Sequence, residues 1–75
     1  MNSLQEQIAD NICRTRNAKK ISVAQLAKTV GKTRAWVYQI ESGGVTIGAH
    51  TIEEIARALK VHPDVLTHTG TLVGR

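Results

Sequence analysis

The stretch from Ser22 to Gly43, SVAQLAKTVGKTRAWVYQIESG, decides the fold. Ser22 and Gln25 stand at capping-box spacing, in which the serine hydroxyl accepts a free backbone N–H and the glutamine reaches back to the cap. A helix starting there turns Val23, Leu26, Ala27 and Val30 inward, because residues three and four apart share a helical face. Gly31 follows the last of them, where a chain leaving a helix turns left-handed, a conformation glycine adopts without steric cost. Thr33 then caps a second helix, from Arg34 to Glu41, whose Val37 and Ile40 face the first. Ala27, in the middle of the first helix, is small enough to let the second approach. Two short helices joined by so tight a turn make a helix-turn-helix unit.

The flanks read the same way. Leu4, Ile8 and Ile12 step by four and mark the inner face of a preceding helix. Ser3 with Glu6 predicts its capping box, and basic residues in its last turns complement the helix dipole up to about Ala18. Beyond the central unit, Ser42-Gly43-Gly44 ends the helix, and the glycine-rich loop through Gly48 is expected to be mobile. Thr51 with Glu54 predicts the cap of a fourth helix bearing Ile52, Ile55, Ala56 and Leu59. His62-Pro63-Asp64 starts a short fifth helix with Val65 and Leu66, proline being tolerated in a first turn. The tail TGTLVGR, 69–75, has no pattern and is expected to be flexible. The expectation is one all-α, five-helix domain over 1–68.

Composition narrows the function. With 75 residues there is room for one modest core, which a dimer would help to stabilise. Trp36 and Tyr38 are its aromatics, so that core is aliphatic. A lone cysteine, Cys13, excludes an internal disulfide and fits a reducing compartment. The opening MNSLQEQIAD has no basic segment followed by an apolar run, and no stretch reaches membrane-spanning length, so a cytoplasmic protein is expected. The net charge is +4, and its placement is uneven. Arg14, Arg16, Lys19, Lys20, Lys28, Lys32 and Arg34 fall within 11–40, a span without Asp or Glu, while the remainder is acidic on balance. Such segregation produces one positive face, suited to a polyanion. His50, His62, His68 and Cys13 lack metal-ligand spacing, no phosphate loop follows a strand, and no acid–base set converges. No enzyme activity, metal, cofactor or small-molecule ligand is expected.

The run from Ser22 to Gly43 resembles the helix-turn-helix of phage Cro proteins, phage repressors and their bacterial relatives. Ala27, Gly31, Val37, Ile40, Glu41 and Gly43 stand at that family's spacing. The likeness extends back to Arg16 and forward through TIEEIARALKVHPDVL, the family's fourth and fifth helices. It departs at Val23, where relatives often have Gln, at Lys32, where an apolar residue is usual, and in GGVTIGAH, which has no basic residue. The resemblance implies a lambda-repressor-like domain that lays its third helix in the major groove of double-stranded DNA. It also implies that Arg16 and Glu41 pair between the first and third helices.

Helical geometry then sorts the third helix. At about 100° per residue, Val37 and Ile40 point inward while Ala35 and Gln39 project nearly opposite, flanked by Arg34, Trp36 and Tyr38. Arg34, Ala35, Tyr38 and Gln39 are the expected base contacts: Gln39 for adenine, Arg34 for guanine, Ala35 for a thymine methyl. Ser22, Lys28, Lys32, Thr33, Trp36 and Arg14 are the expected backbone contacts, with packing against the neighbouring loop the alternative for Trp36. A single unit reads one half-site, so a homodimer on a near-palindromic operator is expected, acting as a repressor. Phage regulators, restriction-modification controllers and antitoxins all fit. The competing reading is a protein-interaction module of the same fold with weak or no DNA binding.

Overall fold

The computed structural model describes residues 4–68. Five helices follow in chain order: α1 (Leu4–Ala18), α2 (Val23–Val30), α3 (Arg34–Ser42), α4 (Ala49–Leu59) and α5 (Pro63–Thr67). No strand occurs among the described residues. Helix α1 packs on α3 and α5, α2 on α3 and α4, and α4 on α5. The all-α, five-helix expectation holds. Ser3, and with it the expected cap of α1, lies outside the described residues, as does the 69–75 tail.

The core is aliphatic throughout. Ile8 and Ile12 of α1, Leu26 and Ala27 of α2, Val37 and Ile40 of α3, Ile52, Ile55, Ala56 and Leu59 of α4, and Leu66 of α5 are all buried. Val23 and Val30 are partly buried against this cluster. Ala27 is buried on α2, which packs on α3. Two expected core positions are not there. Leu4 and Val65 are exposed. Leu4 opens α1, and in that first turn it is the next residue that points inward: Gln5 Oε1 accepts from Ile47 N at 2.6 Å. Val65 lies beside Leu66 on a helix of only five residues, which has one narrow buried face.

The segment between α3 and α4 also differs from expectation. Ile47 is buried in the core, and Gln5 holds its backbone, so the glycine-rich loop is pinned near its end, just before α4. Helix α4 begins at Ala49 with Gly48 as its N-cap, three residues before the expected cap at Thr51, which stands inside the helix. With Ile47 anchored, the chain needs to enter the helix almost at once for Ile52 to reach the core, and glycine is an acceptable N-cap.

Helix ends explain the turns. Gly31 and Gly43 close α2 and α3 at φ +73° and +78°. The Gly31 N–H donates to Ala27 O and Lys28 O, and Lys32 N donates to Ala27 O at 2.8 Å, so the last carbonyls of α2 are satisfied. At the ends of α1 and α4 the same role falls to Lys20 (φ +59°) and Lys60 (φ +60°), which carry a Cβ in left-handed backbone. That conformation costs a non-glycine residue about 1 kcal/mol or more. Lys20→Gly and Lys60→Gly are therefore each expected to stabilise the domain by about 1 kcal/mol, a rise in Tm of roughly 4–8 °C. Thermal melts of each variant check this; an unchanged or lowered Tm would show that dipole attraction or stem packing of the lysines outweighs backbone strain.

A side-chain bracket joins the two ends of the domain. Asn11 Nδ2 donates to Leu66 O at 2.9 Å and to His68 O at 2.7 Å, while its Oδ1 accepts from Gln7 at 3.3 Å. The carbonyls at the end of α5, which has no further turn to use them, are thereby held against α1.

Candidate nucleic-acid interface

Both helices of the central unit start with the caps the sequence requires. Ser22 Oγ accepts from Gln25 N at 3.0 Å, and Gln25 Oε1 accepts from Ser22 N at 2.9 Å. Thr33 Oγ1 accepts from Trp36 N at 3.1 Å. Each hydroxyl still has its own proton to donate outward, and both residues are exposed.

Helix α3 presents two distinct faces. Val37 and Ile40 are buried; Arg34, Ala35, Tyr38 and Gln39 are exposed. The four expected base contacts thus lie together on one outward surface. Trp36 is half-buried and packs against the core, and Lys32 Nζ stands 5.7 Å from its ring centroid. Lys28 and Lys32 are exposed near the turn. Arg14 is not grouped with them. It lies about 200° around α1 from Arg16, exposed and ion-paired to Asp10 at 3.0 Å.

The orientation of α3 is held from behind by Arg16. Arg16 Nε donates to Glu41 Oε2 at 2.7 Å and Nη2 to Glu41 Oε1 at 3.1 Å, a bidentate pair. Nη1 donates to Ile21 O at 2.9 Å, which ties the entry to α2 into the same contact. Both side chains are about nine-tenths buried, with 11% and 9% of their surface exposed. The bonds to Glu41 raise the Arg16 pKa further despite the opposing effect of burial. Cys13 stands half-buried beside this pair, and burial, then the Glu41 charge, pushes its thiol up, the reverse of what activates a nucleophile.

The electrostatics of the helix N-termini follow a pattern not anticipated from the sequence. Helices α1 and α5 carry an acid in the first turn, Glu6 and Asp64, as the helix dipole favours. Helices α2, α3 and α4 carry none, and α3 starts with Arg34 next to Lys32. The positive end of α3 thus has no acid in its first turn and is flanked in sequence by Lys32 and Arg34, a setting that suits an anion.

Other chemistry is not assembled. No group of three or more His, Cys, Asp or Glu able to hold a metal occurs among the described residues. His50 lies 3.5 Å from Glu54 and His62 3.5 Å from Asp64, both on the surface. No helix of the described residues is long and apolar enough to cross a membrane.

Comparison with known proteins follows the same outline. A family model described as Helix-turn-helix matches residues 14–66. The restriction-modification controller protein C.AhdI from Aeromonas hydrophila superposes with a TM-score of 0.77 at 27% identity, covering 83% of this chain and 94% of that one. A hypothetical transcription factor from Neisseria gives 0.80 at 31% identity, over 87% of this chain and 75% of its own. The clp gene regulator ClgR from C. glutamicum, at 19% identity and a TM-score of 0.83 over 88% and 87% of the two chains, shares the fold. No significantly similar sequence is found among curated proteins. By the match across most of its described length, the chain belongs to the Cro/C1-type helix-turn-helix family, whose members are non-enzymatic DNA-binding transcription regulators.

Proposed function

We propose that the chain represses transcription by binding a near-palindromic operator as a homodimer in the cytoplasm, each protomer laying α3 in one major groove. The observation that carries the proposal is the outer face of α3. Arg34, Ala35, Tyr38 and Gln39 are exposed together, backed by a buried ion pair and bordered by Lys28 and Lys32. A major groove is wide enough for one helix, and its base edges offer distinct donor and acceptor patterns. On this reading Gln39 and Arg34 meet base edges, Ala35 and Tyr38 meet apolar base surface, and Ser22, Lys28, Lys32 and Thr33 meet the sugar–phosphate backbone. Arg14, whose exposed guanidinium is paired with Asp10 through Nε, would add a further phosphate contact. The likeness to the restriction-modification controller protein C.AhdI supports the regulator reading.

The test is binding to a selected duplex across a range of salt concentrations. With roughly four to six phosphate contacts per protomer, the log–log slope for a dimer is expected to be about −5 or steeper. Binding that ignores salt, or no binding to any duplex at low salt, would overturn the proposal. It would favour the protein-interaction reading, to which one feature already points: the loop at 43–48 has neither Lys nor Arg.

A further inference from the structure

Lys32 occupies an unfavourable place. It precedes the N-cap of α3, where the helix dipole is positive, and no acid lies in the first turn to balance it. Its backbone is fixed, because its N–H closes the end of α2 on Ala27 O at 2.8 Å. What meets its ammonium is the Trp36 ring, 5.7 Å from Nζ to the centroid. The ring is fixed as well. Trp36 is half-buried against the core, and its N–H is bonded to the Thr33 cap. Lysine and ring are thus two ends of one capped turn, both anchored through their backbones.

We propose that Trp36 is a positioning residue for DNA binding: its indole face holds the Lys32 ammonium at the α2–α3 turn, ready to meet a backbone phosphate. This rests on the DNA-binding function proposed above. A ring quadrupole attracts a cation within about 6 Å, and tryptophan does so best. The contact engages one side of the ammonium and leaves its other N–H donors outward. A free lysine side chain loses much rotamer freedom on gripping a phosphate, whereas one already held over a ring has less to lose. Trp36 thereby strengthens binding through Lys32, with no contact of its own required.

A double-mutant cycle on Trp36→Leu and Lys32→Met tests this, with Trp36→Phe as the conservative variant. All are measured by duplex affinity at fixed salt and temperature, where circular dichroism shows each variant folded. Trp36→Leu is expected to weaken binding about two- to fivefold. Trp36→Phe is expected to restore part of that loss, and in the Lys32→Met background Trp36→Leu should cost nothing more. Additive losses would overturn the proposal, since the indole would then act by its own contact, and so would an unaffected Trp36→Leu. Trp36 is the chain's one tryptophan, so its emission gives a second readout without DNA. Lys32→Met is expected to change that emission while Lys28→Met is not; identical spectra would mean that the cation does not sit over the ring in solution. Failure of the unmodified chain to bind any duplex would overturn the DNA reading and this proposal with it, whereas additivity on a binding chain overturns the positioning role alone.

Discussion

Glu41→Ala is expected to destabilise the domain by about 3 kcal/mol, which for a chain of this length lowers Tm by on the order of 15 °C. The magnitude follows from what is left behind. Arg16 directs Nε and Nη2 at the Glu41 carboxylate and Nη1 at Ile21 O, with 11% of its side chain exposed. Deleting Glu41 leaves a guanidinium largely out of water with one neutral carbonyl for company. Removing one partner of a buried pair costs more than the pair itself contributes, because the remaining charge keeps its desolvation penalty. Arg16→Ala is expected to cost about as much, since it strands both the carboxylate and Ile21 O. The double replacement Arg16→Met with Glu41→Leu is expected to be milder than either single change. The double variant Arg16→Ala with Glu41→Ala, measured by chemical denaturation beside the two alanine singles and the unmodified chain, closes the cycle, and simple additivity would show that the two charges do not interact in solution. The loss should also reach function, because the same contact joins α1, the entry to α2 and the end of α3.

How far this arrangement could be read from sequence depends on the range of the interactions involved. Local signals were sufficient for the central unit. The box of Ser22 and Gln25, the left-handed Gly31 and the cap at Thr33 are contacts within a few residues, and each forms as its residue types require. The inward Val37 and Ile40 and outward Gln39 follow from period alone. The pairing of Arg16 with Glu41, 25 residues apart, was available only through resemblance to a family. Where partners are distant and no family pattern marks them, the sequence is silent. Ile47 shares a glycine-rich loop with one other apolar residue, the exposed Val45, and nothing local shows that Gln5 holds Ile47 in the core and so moves the start of α4 to Ala49. Asn11 reads as a polar residue on α1, yet it secures the end of α5. Leu4 fits the period of α1, but periodicity cannot say that the first turn directs Gln5 inward instead. The absence of an acid from the first turns of α2, α3 and α4 is visible in the sequence, and acquires meaning once the helix boundaries are known.

Gln39→Ala separates readout from folding. Gln39 is exposed on the side of α3 opposite the buried Val37 and Ile40, and its side chain enters no hydrogen bond that holds the domain together; the bond from Ser42 Oγ is to its backbone carbonyl. Alanine is also the better helix former. The Tm is therefore expected to stay nearly unchanged. On a selected half-site the same substitution is expected to cost about 1–3 kcal/mol and to relax discrimination at one base pair, because a carboxamide donates and accepts at once and so distinguishes adenine from the other bases. Lys32→Ala is expected to behave differently. A lysine at the turn before α3 reaches the backbone, so all duplexes should weaken about equally and the salt slope should become shallower by about one per protomer. Site selection on random duplexes, followed by salt titration of both variants, measures the contrast directly. If Gln39→Ala keeps its sequence preference, the centre of the outer face is not reading bases. Readout would then fall to Arg34 and Tyr38 at its margins, the two remaining exposed side chains on α3 long enough to reach a base edge.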